Sequence, residues 1–262
     1  MKRLFFCIFL ISIFSACKND PQEPVKTTKP LSFSSETIEK SAENCNPENG
    51  DCTFISLTYP VAKNGKKQAE TINKAIEEQL IKTIDFQEEG EADQITELAD
   101  NFIKNFKITA QEFPEYETPW EATVNAKVIF HSEALISVKF DSNIFTGGAH
   151  GYSSTSYLNF DSQNGTLLNK ADLFTEEFQD FVEEDFRKKQ NIAPDTNINS
   201  TGMFFKDDSF HLPNNIGITG DSIILHYNAY EIAPYAAGNF ILEYSKNNIK
   251  QYLKNRNSKK EL

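Results

Sequence analysis

Positive charge is in short supply along this chain. Its 26 Lys and Arg stand against 38 Asp and Glu, a formal net charge of −12. So acidic a chain is a poor partner for nucleic acid and has no electrostatic grip on anionic lipid headgroups. Histidine is scarcer still, with four copies at 131, 150, 211 and 226, well separated in the chain. No Gly-x-Ser-x-Gly elbow, His-Glu-x-x-His zinc helix, Walker loop or dinucleotide fingerprint occurs, so the common hydrolase, nucleotide and nicotinamide signatures are missing. The four cysteines include no second Cys/His pair at zinc-ligand spacing, and no metal or other cofactor is expected. The longest apolar run, Leu4 to Phe14, is too short to span a bilayer.

That apolar run has another reading. Lys2 and Arg3 precede it, and Phe14-Ser15-Ala16-Cys17 follows with small residues before a cysteine. The order of positive, apolar and small residues describes an export signal. It resembles the bacterial lipoprotein signal, which implies removal of residues 1–16 and lipidation at Cys17. Loss of Lys2 and Arg3 would carry the chain from −12 to −14. Cys7 leaves with the signal, so Cys45 and Cys52 remain, and in an exported protein they are expected to form a disulfide. The expected location is the cell envelope, with the membrane reached through the lipid alone.

Residues 17–50 carry Pro, Thr, Ser and charge without periodicity and read as a flexible tether. The folded part divides into an N-terminal subdomain at 51–118 and a C-terminal domain at 119–256. Cys52 to Tyr59 is strand-like, with Pro60 ending it. Ala69, Ile72, Ile76 and Leu80 mark one helix, and Ile95, Leu98, Ala99, Phe102 and Phe106 a second. Glu88, Glu89 and Glu91 fall in a solvated turn between them. From Trp120 the period becomes two, through Ala122, Val124, Ala126, Val128 and Phe130, then Ile136, Val138 and Phe140. Another strand runs through Leu158 and Phe160 to a tight turn at Asn164-Gly165. Thr175 offers an oxygen cap to a helix carrying Phe178, Phe181 and Val182. Strands resume at 216–218, 222–227 and 239–244, and Ile249, Tyr252 and Leu253 suggest a last helix from Ser245. The class is α+β: an antiparallel sheet with helices packed on it, in two interlocking subdomains.

Two irregular stretches stand out. Asn143 to Tyr157 bends between strands through Gly147, Gly148 and Gly151, with His150 inside the bend. Tyr227 to Gly238 is aromatic and irregular, again between strands. The two are expected to meet on one face of the sheet. Gly147, Gly148, Pro234 and Gly238 suit structural roles, and Glu231 is expected to cap the Gly-rich bend. His150, Tyr230 and Tyr235 are the binding candidates. A dyad of His150 with Asp141 or Asp161 is the catalytic alternative, but no nucleophile accompanies it and no enzyme activity is expected.

Gly147-Gly-Ala-His150 and Tyr230-Glu-Ile-Ala-Pro-Tyr-Ala-Ala-Gly238 resemble an extracytoplasmic domain family of uncharacterised function. That family occurs in the lysozyme-receptor ectodomain of RsiV-type anti-sigma factors and beside the catalytic domain of PdaC-type peptidoglycan deacetylases. Tyr59-Pro-Val and the helix through Ile72-Asn73 are similar to the smaller domain that precedes it. The resemblance covers roughly residues 52–255 and includes neither an anti-sigma segment nor a deacetylase domain. It implies at most a binding or sensor module whose partner is lysozyme or another basic wall hydrolase, a charge match for so acidic a chain. The alternative is a glycan-binding accessory or peptidoglycan-modifying enzyme centred on His150 and Tyr235.

Overall fold

The computed structural model describes residues 30–43, 45–85, 94–115 and 118–254. The signal, Cys17 and the acidic turn at Glu88, Glu89 and Glu91 lie outside them. Among the described residues, two sheets and four α-helices form two packed layer systems, one after the other in the chain, which confirms the α+β class.

The first sheet has strands β1 (Ser32–Ser41), β2 (Phe54–Lys63), β3 (Glu121–His131), β4 (Leu135–Phe145) and β5 (Tyr152–Asp161), in that spatial order. Between β2 and β3 the chain leaves the sheet through α1 (Lys67–Ile84) and α2 (Ile95–Glu112). That excursion lets β2 and β3 run parallel, the one departure from an otherwise antiparallel sheet. Ala69, Ile72, Ile76 and Leu80 of α1 are buried, as their spacing predicted, and so are Leu98, Ala99 and Phe102 of α2. They pack on Ile55, Leu57, Val124, Val138 and Phe140 of the sheet. Asn73 sits within α1 yet faces the sheet. Its amide accepts from Ala62 N at 2.7 Å and donates to Ala62 O at 3.0 Å, standing in for a neighbouring strand.

Three expectations are corrected here. Part of the proposed tether is strand β1, paired with β2 from Ser32↔Lys63 to Ser41↔Phe54. Its side chains are mostly exposed, so hydrophobic alternation could not reveal it; backbone pairing holds it, with Phe33 and Ile38 packed against the core. Pro60 lies inside β2 rather than ending it. Beyond Thr58 that strand pairs with β1 alone, and a residue lacking N–H is tolerated where one side has no partner. The boundary placed at residue 118 falls within one continuous sheet, because β2 and β3 pair across it.

The second sheet, β6 (Asn215–Ile218), β7 (Ser222–Tyr227) and β8 (Phe240–Ser245), is antiparallel throughout. Before it come the short α3 (Lys170–Leu173), closed by an Asn169/Asp172 capping box, and α4 (Glu177–Lys189). Phe178, Val182 and Phe186 of α4 meet Ile216, Leu225, Tyr227 and Leu242 in a second core. Thr175 does not cap α4: the N-cap position falls to Glu176, whose side chain makes no capping bond. The helix expected from Ser245 does not form among the described residues, where a single 3₁₀ turn stands at Lys250–Tyr252 instead. The chain there is drawn into pairing with residues 173–175, through Thr175 N to Tyr252 O at 2.9 Å and Lys254 N to Leu173 O at 2.9 Å. Ile249 is fully buried all the same, so its apolar character was read correctly and its conformation was not.

The two units meet at β4 and β5. Ile136, Val138 and Phe140 face α1 and α2, while Leu135 belongs to the second core and Ser137 lies buried under Ile218. Asn159 donates to Ile216 O at 2.7 Å, and Gly217 lies flat against Tyr157, whose ring a Cβ would strike at 2.5 Å.

Candidate functional site

The Gly-rich bend joins β4 to β5. Gly147 and Gly148 take φ of +94° and +89°, a region closed to most side chains, which lets the strand reverse and carries His150 out to solvent. The second irregular stretch joins β7 to β8 and lies directly against this bend. The rings of His150 and Tyr235 stack with centroids 4.0 Å apart and planes 14° from parallel. Tyr235 OH donates to Gly151 O at 3.3 Å, and Tyr230 lies beside Tyr235 at 5.3 Å. The two stretches expected to meet do so.

The loop is held by polar contacts that sequence reasoning did not identify. Asn228 accepts from Thr155 N at 2.8 Å and donates to Thr155 O at 2.9 Å, so its amide pairs with β5 as a strand would. Glu231 does not cap the Gly-rich bend. Its carboxylate accepts from Asn228 N at 3.0 Å and fixes the residue that grips β5. Burial raises the Glu231 pKa, opposed by the Asn228 N–H and by the charges of His211 and Lys170. Tyr152 OH donates to Ala229 O at 3.2 Å, and Asn239 accepts from Ala229 N at 2.8 Å. Pro234 opens the 3₁₀ turn Tyr235–Ala237, and Gly238 closes it at φ +70°. The available signal for Asn228 was its position, one residue past an apolar strand and next to a tyrosine-rich run.

Tyr230 is 54% exposed and takes φ +69°, an unfavourable backbone for an aromatic residue, so the fold holds this ring outward at a conformational cost. Tyr152 and Tyr235 are exposed beside it. His150 Nδ1 lies 2.9 Å from Gly151 O, and because a carbonyl only accepts, that nitrogen carries the proton. The acids considered for a dyad are engaged elsewhere. Asp141 binds Lys139 at 2.8 Å and accepts from Thr155 Oγ1 at 3.0 Å; Asp161 accepts from the N–H of Gln163 in the next turn. A groove of 300 Å³ opens beside the stack, between Tyr152 and Tyr235 on one side and Glu121, Thr123 and Asn143 on the other. Cys45 and Cys52 form a disulfide, with Cα atoms 5.2 Å apart, just ahead of β2. Among the described residues no group of three or more His, Cys, Asp or Glu is arranged to hold a metal, and no helix is long and apolar enough to cross a membrane.

Residues 47–153 match the family model described as deacetylase PdaC, and residues 171–245 match that of a protein family of unknown function, DUF3298. The chain is thus similar to two families, one over its first unit and one over its second. The peptidoglycan-N-acetylmuramic acid deacetylase PdaC of Bacillus subtilis is 22% identical over 178 residues, 64% of this chain. The match spans 37% of that enzyme's own length. Crystal structures of DUF3298-family proteins from Bacteroides fragilis and Pseudomonas aeruginosa share the fold, with TM-scores of 0.65 and 0.58 at 20% and 19% identity. Each alignment covers 87% of this chain, and 95% and 96% of the respective structures. His150 belongs to the PdaC-matched region and Tyr235 to the DUF3298-matched region, so the ring stack is one of the contacts between the two.

Proposed function

We propose that this chain is a non-catalytic binding module of the cell envelope, attached through a lipid on Cys17, that recognises its partner with the Tyr230–Tyr235–His150 face. The observation that carries the reading is the ring stack. It gathers residues from two distant loops into an exposed aromatic surface on a backbone strained at Tyr230 and anchored by Asn228. Preorganised, exposed aromatic rings supply binding area at small entropic cost. The His150 ring lies flat on Tyr235 with its Nδ1–H directed at Gly151 O, an arrangement suited to shaping the surface more than to moving protons. The family matches support an accessory role, since the deacetylase relative extends well beyond the region shared with this chain.

The partner we propose first is lysozyme or another basic wall hydrolase, whose charge complements this acidic chain. Opposite charge speeds association, an effect that weakens as salt screens it. Binding of the soluble domain, lacking residues 1–17, to lysozyme and to cytochrome c at low and physiological salt separates specific from generic attraction. Lysozyme alone should remain bound at physiological salt, and Tyr230→Ala should weaken it. Equal binding of both proteins, lost together as salt rises, would overturn the hydrolase reading.

A further inference from the structure

The register of the first sheet places one residue from each strand in a single row, Glu39–Ser56–Thr123–Asn143–Ser153. These side chains lie on the face away from α1 and α2 and are exposed or half-buried. Ser56 Oγ donates to Glu39 at 3.2 Å and Ser153 Oγ to Asn143 at 2.6 Å, so the row is partly ordered before any ligand arrives. Beside it runs a second row in which Phe54, Glu121 and Phe145 are direct cross-strand neighbours. Two cavities lie on these rows, one of 300 Å³ against Tyr152 and Tyr235, the other of 550 Å³ against the Pro47–Asn49 turn, and they share Thr123. Together they form a trough crossing the strands, about 19 Å long for five strands at ~4.8 Å spacing.

We propose that this trough binds a linear amino-sugar glycan carrying free amines, laid across the strands from the disulfide-closed turn toward Tyr235. The rows match the two aspects of a pyranose ring. Phe54 and Phe145 offer flat apolar surface to its C–H face, and Ser56, Thr123, Asn143 and Ser153 offer donors and acceptors to its hydroxyl rim. An extended peptide lacks a backbone ladder to join here, because the strands beneath already pair with one another along these rows. Charge selects among glycans. Glu39, Glu48 and Glu121 line the trough, while Lys40, its one cation, is turned to Asp100 of α2. Phosphate- and carboxylate-bearing polymers are repelled and protonated amines attracted.

The trough shares Tyr235 with the proposed hydrolase face but extends away from it over β1 to β4, and its test separates the two. Binding of a β-1,4-linked glucosamine hexamer, its N-acetylated counterpart and polylysine would be measured calorimetrically on the soluble domain. The glucosamine hexamer should bind, with the N-acetylated form about tenfold weaker, the loss expected for charge-assisted hydrogen bonds. Glu39→Gln with Glu121→Gln should erase that preference, Asn143→Ala should weaken binding severalfold, and Thr123→Arg should abolish it with the melting temperature unchanged. Tyr230→Ala, which impairs the hydrolase face, should leave glycan affinity intact. No binding by either hexamer, preference for the N-acetylated form, indifference to Thr123→Arg, or polylysine binding as tightly as the glucosamine hexamer would each overturn the proposal.

Discussion

Replacing Asn228 by Ala removes the clasp between the tyrosine loop and β5. Two hydrogen bonds are lost, at 2.8 and 2.9 Å, and the N–H and C=O of Thr155 are left half-buried without their partner. Each such loss costs about 1–2 kcal/mol where water enters imperfectly, so about 2–4 kcal/mol together. Asn228 is 8% exposed, so little water can substitute. For a folded region of this size each kcal/mol lowers Tm by about 2–4 °C, which gives a drop of about 4–16 °C. Thermal unfolding followed by circular dichroism measures it. Asn228→Asp supplies a control: it keeps the acceptor for Thr155 N, turns the donor into a second acceptor facing Thr155 O, and places its charge near Glu231. It should therefore be no better tolerated than Ala. A melting temperature within about 1 °C of wild type in Asn228→Ala would refute the account of this loop as a surrogate strand.

Other consequences can be checked in the same protein. Gly148→Val should destabilise by about 1–3 kcal/mol through its φ of +89° alone, since a Cβ there meets no atom within 4 Å; an unchanged Tm would remove the conformational argument. Opening the Cys45–Cys52 link with a double Ser substitution should cost about 2.5 kcal/mol for so short a loop, read from the denaturation midpoint. Burial first, then the Lys139 charge, lowers the pKa of His226 from 6.5, against a weaker opposing pull from Asp141. The unfolded chain thus takes up that proton before the folded one, so the stability linked to His226 is complete above about pH 6.5 and declines as pH falls below it. His226→Gln should flatten this slope relative to wild type, and identical pH profiles would refute the assignment. Cys17→Ser should abolish fatty-acid labelling and detergent-phase partitioning, and persistent labelling would show that the anchor lies elsewhere.

Patterns local to the chain were legible in the sequence. Ile72, Ile76 and Leu80 repeat at helical spacing, and Ala122, Val124 and Ala126 alternate, because each element must bury one face. The Gly-rich bend and the tyrosine loop announced themselves by composition, and the Cys45–Cys52 pairing followed from elimination. Elements held by backbone pairing rather than by side-chain burial went unread. Strand β1 is mostly Ser, Thr and Glu and exists because β2 offers it an unpaired edge. The segment after Ser245 has helical apolar spacing, yet its backbone groups find partners at residues 173–175, and that competition is invisible in a linear pattern.

Residue pattern alone was enough for the class of the fold, its helices and inner strands, and the two irregular loops. It sufficed because hydrophobic period and backbone permissiveness are properties of neighbours in the chain. That His150 lies on Tyr235, 85 positions away, and that Glu231 serves Asn228 rather than the Gly-rich bend, is visible in the folded chain alone. Folding also aligns Glu39, Ser56, Thr123, Asn143 and Ser153 in one row. Strand register sets such neighbours, and a slip of one residue in any strand would turn that strand's member of the row toward the helices.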